Sequence, residues 1–382
     1  MSSLTFVILC FEGAILSFNV AACAALVPSV AQDLGVAPFV AGRIVWLYML
    51  PYGIAALLYG PLVRLFDAKK IELVCFSLFS LANLLAFFAK DIYTLYAARI
   101  LMGLFGASVI PLILILIAKH CNVKSRGKQV GLFFSATFVA SLLGLLLSGF
   151  IHWRLIFLIP ALAGFVLLMA MYAFLPSFKE DKSELKINYL AAFKQRAVLS
   201  LFTYIFLISL LYHGIQQWLG VYFSNTFNFS QLVISILITL TSLSGIFGEV
   251  VGGLLSDSLG RLKTVKIGIV LMIVSVFVLL LKLPLALLAV IMVIWGFGWT
   301  LNHAGLSTML TDLPKEFLNE AASLNSSVRF VSGGIGAALA GMVMQHSFTV
   351  GFVLFGTCLV LLLFFNQKLL GTLLNSKQRL SL

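Results

Sequence analysis

Twelve continuous apolar runs, each about 19 to 26 residues long, leave this 382-residue chain few ways to fold. They lie at about 5–28, 40–63, 71–89, 93–118, 128–151, 154–175, 199–223, 231–255, 264–283, 285–310, 320–345 and 348–366. At 1.5 Å of rise per residue, each run is long enough to cross a hydrocarbon layer of ~30 Å. The runs are uniformly apolar and do not alternate, so they read as helices and not as barrel strands. Apolar residues make up 62% of the chain and charged residues only 10%, whereas soluble domains carry roughly a quarter charged. Lipid is therefore the solvent for most of the chain. The expected fold class is an all-α integral membrane protein with twelve transmembrane helices in two six-helix bundles. Ala21-Ala22-Cys23-Ala24-Ala25 in the first run imitates a signal-cleavage site. No positive charge precedes it, so the run is expected to stay as a helix.

Charge placement sets the expected topology. Nineteen of the 25 Lys and Arg residues fall in loops after even-numbered runs or in the tail, and four (Arg43, Lys90, Arg154, Lys282) fall on the opposite face. The remaining two, Arg99 and Arg329, lie inside runs. This bias predicts a multi-pass protein of the cytoplasmic (inner) membrane with both termini in the cytoplasm. It also explains the net charge of +12 without nucleic acid as a partner. The five cysteines (Cys10, Cys23, Cys75, Cys121, Cys358) are scattered and read as small core residues, not as a disulfide or metal framework. No cofactor and no metal are expected.

A long polar segment at 176–197 separates six runs from six. The expected organisation is an amino-terminal bundle at 1–175, a cytoplasmic linker at 176–197 and a carboxy-terminal bundle at 198–382. Gly253-Leu254-Leu255-Ser256-Asp257-Ser258-Leu259-Gly260-Arg261-Leu262-Lys263 follows the eighth run. An altered copy, Gly60-Pro61-Leu62-Val63-Arg64-Leu65-Phe66-Asp67-Ala68-Lys69-Lys70, follows the second run, 193 residues earlier. The repeat points to parallel halves related about an axis along the membrane normal.

Gly253–Lys263 reads G-x-L-x-D-x-x-G-R-x-K, and three further segments accompany it. These are Leu95-x-x-x-Arg99-x-x-Met102-Gly103-x-Phe105-Gly106-Ala107, Leu26-Val27-Pro28-Ser29-Val30-Ala31-Gln32-Asp33-Leu34-Gly35, and Trp153-Arg154-x-x-Phe157. On these motifs the chain resembles, over essentially its full length, the major facilitator superfamily. Within it, the chain is most similar to the twelve-helix bacterial drug:proton antiporters. The resemblance implies the two-bundle major facilitator fold and a monomer that moves a small organic molecule by alternating access, with protons as coupling ion. Two departures stand out. The earlier loop copy has Arg64 where the family has Asp, and the fifth run shows Ala140-x-x-x-Gly144-Leu145-x-x-Ser148-Gly149 without the antiporter proline. Proton-coupled efflux is the first expectation, with uptake of a small metabolite by proton coupling or facilitation as the second.

Individual residues carry more specific expectations. Gly253 would permit close helix contact, Gly260 a turn at positive φ, and Arg261 and Lys263 a basic tail. Asp257 would then latch against a helix amino terminus near Lys128–Gly131, gating the cytoplasmic side. The alternative is a surface turn. Proton-coupling candidates are Arg99, Glu12, His213, Glu249 and Arg329. Arg99 would tune a neighbouring acid, serve in a structural ion pair or snorkel to the outer interface. Glu12, about 12 Å above the cytoplasmic edge by helical rise, shares a face with Asn19, and together they would line a cavity, unless Glu12 reaches cytoplasmic water instead. Glu249 and Arg329 stand at similar depth and either pair or reach separately to the cytoplasmic face. His213 titrates in the useful range or is merely structural. Substrate-cavity candidates are Asn19, Gln216, Gln217, Trp218, Asn302 and His303, a polar and aromatic set that suits an amphipathic ligand. The five histidines (His120, His152, His213, His303, His346) are far apart. None has an acid one turn away, which argues against an embedded enzyme. A single chain with unequal halves offers no symmetric channel ring.

Overall fold

The computed structural model describes residues 2–120, 123–177, 189–310, 312–313 and 318–380. Much of the expected 176–197 linker therefore lies outside the described residues. Sixteen helices and no strand occur among the described residues. They are α1 (Ser3–Leu34), α2 (Pro38–Ala41), α3 (Arg43–Leu65), α4 (Ala68–Phe87), α5 (Ile92–Gly106), α6 (Val109–His120), α7 (Val123–Leu147) and α8 (Trp153–Phe174), then α9 (Tyr189–Lys194), α10 (Arg196–Gln216), α11 (Leu219–Phe227), α12 (Gln231–Ser258), α13 (Arg261–Val278), α14 (Leu285–Leu310), α15 (Leu318–Met344) and α16 (Phe348–Leu380).

Every apolar run falls on one of these helices or on a consecutive pair. Among the described residues, eleven segments are long and apolar enough to cross a membrane, with Pro38–Val63, Ile92–Ile117 and Arg196–Phe227 each built from two helices. The remaining run is α13, which opens with Arg261, Lys263 and Lys266 and is apolar after them. The α5–α6 break falls at Ala107–Ser108. Pro111 explains it, because the proline ring clashes with the carbonyl of Ala107 four residues earlier and no N–H replaces the lost bond.

Two helices run further than their apolar runs. α1 passes through Pro28 and ends at Leu34, where Gly35 caps it at φ 63. Pro28 leaves the Ala24 carbonyl without its usual helical donor. A Cβ on Gly220 of α11 would stand 2.8 Å from that oxygen, so only a glycine lets α11 come this close. α16 continues beyond 366 to Leu380.

The chain divides into two units, residues 1–185 with 219–236, and residues 186–218 with 237–382. In the first, α1 packs on α7, α8 and α11, α3 on α5, and α4 on α5 and α8. In the second, α10 packs on α15 and α16, and α13 on α14 and α16. Many large apolar side chains, among them Phe150, Val166, Met169, Phe247 and Phe364, point outward. In water such a surface would aggregate, but against acyl chains it is the ordinary finish of a spanning helix.

Candidate functional site

Each unit contains its own polar cluster inside the spanning helices. In unit 1 the cluster depends on how closely α1 lies to α7. A side chain at Gly144 would collide with the Phe18 carbonyl, and one at Gly13 with Phe133 and Thr137. Ser141 reinforces the seam by donating to the Ser17 carbonyl at 3.3 Å. With α1 held this way, Glu12 and Asn19 turn toward α4.

Glu12 is fully buried beside Glu72 of α4, which is also fully buried. Among the described residues, none of the four carboxyl oxygens has a hydrogen-bond partner. The titratable groups facing the pair are Tyr59 on α3 and Cys75 on α4. Tyr59 donates to the Leu104 carbonyl at 2.7 Å, and the Cys75 thiol reaches its hydroxyl at 3.6 Å. Two carboxylates in contact away from water cannot both be ionised, so the pair holds at least one proton. The sequence reading did not single out Glu72. It lies two residues past Lys70, at the very start of the third apolar run.

Asn19 does not line an open cavity as expected. It is fully buried, and its amide donates to Asn83 of α4, which in turn donates to the Phe79 carbonyl at 2.9 Å. Arg99 also differs from the expectation of an acid neighbour. It is 1% exposed, its Nε donates to the Ile44 carbonyl at 3.0 Å, and its guanidinium carbon lies 4.4 Å from the Tyr48 ring centre. No carboxylate pairs with it among the described residues. Carbonyl and ring quadrupole together solvate the charge.

Two of the sequence segments meet at the ends of α1 and α8. Asp33 accepts hydrogen bonds from the Trp153 indole at 3.0 Å and from Arg154. Arg154 also donates to the Ala89 carbonyl at 2.8 Å, tying in the α4–α5 connection. Nearby, Gln231 of α12 bonds Ser29 at 2.7 Å and the Ala25 carbonyl at 2.9 Å. A cavity of about 440 Å³ opens beside Pro28, Gln32 and Gln231, away from the carboxyl pair.

In unit 2 an aromatic stack forms the frame. Tyr212 of α10 lies on Trp299 of α14 with centroids 4.0 Å apart and planes at 6°, and on Trp295 at 5.1 Å. His213 meets the edge of Trp299 at 5.6 Å, and its Nδ1 is 3.3 Å from the Gln217 amide. His303 Nδ1 lies 2.6 Å from Glu249 Oε1, and these side chains are 34% and 44% exposed. Arg329 of α15 donates through Nε to Asn325 at 2.8 Å and lies 5.9 Å from the Trp299 ring centre. Glu249 and Arg329 therefore each have another direct partner. They act on one another only through the field of the charges.

Three of the expected cavity residues hold helices together instead. Trp218 is 2% exposed, and its indole donates to the Ala337 carbonyl at 2.8 Å, which leaves no face for a solute. Gln216 accepts from the Trp295 indole at 2.7 Å. Asn302 is fully buried and donates to the Val265 carbonyl at 3.0 Å, joining α14 to α13. Gln217 and His303 keep accessible surface.

Gly260 has φ 90, a conformation that side chains avoid, and starts α13. Arg261 forms an ion pair with Asp312, a residue the sequence reading did not single out, and also feels the charge of Asp257. Gly253 does not serve close packing, because a Cβ there would meet nothing within 4 Å. Gly245, Gly248 and Gly252 do that work against Thr300, Leu301 and Ala304 of α14. In the earlier copy, Asp67 caps α4 by accepting from the Lys69 N–H at 2.8 Å and also accepts from Ser177, while Lys69 reaches the Tyr172 carbonyl at 2.7 Å.

Spanning helices in two units, each with a polar cluster in its interior, define a multi-pass membrane protein of the carrier class. The chain belongs to the Major Facilitator Superfamily, whose family model matches residues 9–337. It is similar to the MFS-type transporter YbcL of Bacillus subtilis (strain 168), with 24% identity over 329 residues, 84% of each chain. It is also similar to the purine ribonucleoside efflux pump NepI of Salmonella enteritidis PT4, with 22% identity over 341 residues, 88% of this chain and 86% of that one. In fold it matches the crystal structure of a bacterial homologue of the human lysosomal transporter Spinster, with TM-score 0.76, 14% identity and 98% of both chains covered. The chain is thus a transporter of small molecules.

Proposed function

We propose that the chain works as a monomer in the cytoplasmic membrane, both termini inside, and exports a small organic molecule in exchange for protons. The observation that carries this reading is the buried Glu12–Glu72 pair. A carboxyl pair with no cation between its members exchanges protons singly and changes charge each time. Gain of a second proton makes it neutral and free to move within the protein. Loss of that proton restores an anion that needs water or a donor. Such a group couples helix movement to proton passage without any cofactor. Asp257 serves as the cytoplasmic latch in this scheme, with Gly260 setting the turn and Arg261 and Lys263 following it. Similarity to an efflux pump over most of the chain supports the outward direction.

Purified protein in proteoliposomes, loaded with a substrate found by thermal-shift screening, tests this under an imposed pH gradient. Protons entering the cytoplasmic side as substrate leaves it support the exchange. Substrate concentrating on the cytoplasmic side together with protons would make the protein an uptake carrier instead.

A further inference from the structure

We infer that unit 2 holds an anion subsite in which the Arg329 guanidinium receives the carboxylate of a planar aromatic substrate. The inference rests on the transport reading and names a substrate class for it. Arg329 is 8% exposed, and its Nε is committed to Asn325 one turn earlier on α15, which fixes the plane of the group. Among the described residues its outer nitrogens, Nη1 and Nη2, are buried with no hydrogen-bond partner. A guanidinium stays charged in proteins, and leaving two of its charged donors buried and unpaired is costly. The chain's own nearby acid does not fill the place, because Glu249 lies against His303 and forms no ion pair with Arg329.

The surroundings select the rest of the ligand. Trp299 lies over the guanidinium and is backed by Tyr212, which presents flat π surface where an aliphatic chain would gain less. Gln217 and His213 add neutral polar atoms for ring substituents. His303, Glu249 and the half-buried Trp299 form the exposed edge through which a solute enters. The paired N–H groups of a guanidinium edge match a carboxylate in bidentate fashion. A single arginine with a carboxylate nearby fits a monoanion better than a doubly charged phosphate, and it repels an ammonium.

The test uses the full-length carrier purified in detergent, with binding read by calorimetry and tryptophan fluorescence. The probes are benzoate, benzamide, cyclohexanecarboxylate and phenyl phosphate. Benzoate is expected to saturate the site, and benzamide to bind about tenfold more weakly or worse, the loss of a charge-assisted hydrogen bond. Arg329→Gln should erase that preference, while Arg329→Lys, which keeps charge but not the planar fork, should fall between. Trp299→Leu should weaken benzoate more than cyclohexanecarboxylate. Should Arg329→Gln fail to fold, Asn325→Leu is the second variant. It leaves the charge but frees Nε, and benzoate binding should weaken. The proposal is overturned if the native protein shows no saturable benzoate binding, or if benzamide binds equally well. Stronger binding of phenyl phosphate than of benzoate, or native affinity in Arg329→Gln or Asn325→Leu, overturns it too. No gradient enters the measurement. Failed binding beside intact proton-linked flux removes only this subsite, and the expected binding without proton-linked flux removes the transport reading.

Discussion

Among the described residues Glu12 and Glu72 touch no cation, so each sets the charge that the other can carry. Infrared spectroscopy of the purified carrier at neutral pH should show the carbonyl stretch of a protonated carboxylic acid buried in an apolar place. Glu12→Gln or Glu72→Gln should remove or shift it. Groups that share one proton are not additive, so the double substitution should cost coupled transport little more than either single one. Additive losses would separate the two acids into independent roles. Half of this pair was legible in the sequence, since a lone acid in the apolar stretch of α1 stands out. Glu72 did not stand out, because it follows Lys69 and Lys70 and only tertiary packing buries it. Trp218 failed in the opposite direction. A tryptophan beside polar residues reads as a ligand platform, but whether its N–H is already satisfied is decided by a carbonyl 119 residues away.

At the level of elements, the helices themselves were legible because a spanning helix must be apolar along its whole length. What hydropathy could not show is which small residue faces which neighbour. Gly252 and Gly253 are adjacent, yet only Gly252 lies against α14. Gly253→Ala should therefore leave thermal stability almost unchanged, whereas Gly252→Leu should destabilise by about 1–3 kcal/mol through overpacking. Equal melting temperatures for the two variants would show that α12 and α14 are not packed this way. The turn before α13 gives a second element-scale prediction. At φ 90, Gly260→Ala should cost about 1–3 kcal/mol in backbone strain. A variant as stable as the native protein would remove the requirement for glycine there.

For the whole molecule, the two loop motifs have different tasks in this account. The copy in unit 1 has become a structural cap, with Asp67 holding the start of α4. Asparagine caps nearly as well as aspartate, so Asp67→Asn should change turnover little. Asp257→Asn removes the charge proposed for the latch and should slow transport far more. Equal defects in a counterflow assay would assign the latch to the wrong half. The doubling of the motif was legible as an architectural signal, while the pairing of Arg261 with Asp312 was not, since those residues meet only when α13 and the end of α14 come together. The central claim concerns proton passage through the carboxyl pair. The most direct measurement follows proton and substrate movement together in proteoliposomes containing the native protein or the Glu72→Gln variant. The account predicts linked proton entry and substrate exit in the native carrier, and substrate exchange without proton movement in the variant. Undiminished proton flux linked to substrate in Glu72→Gln would contradict it.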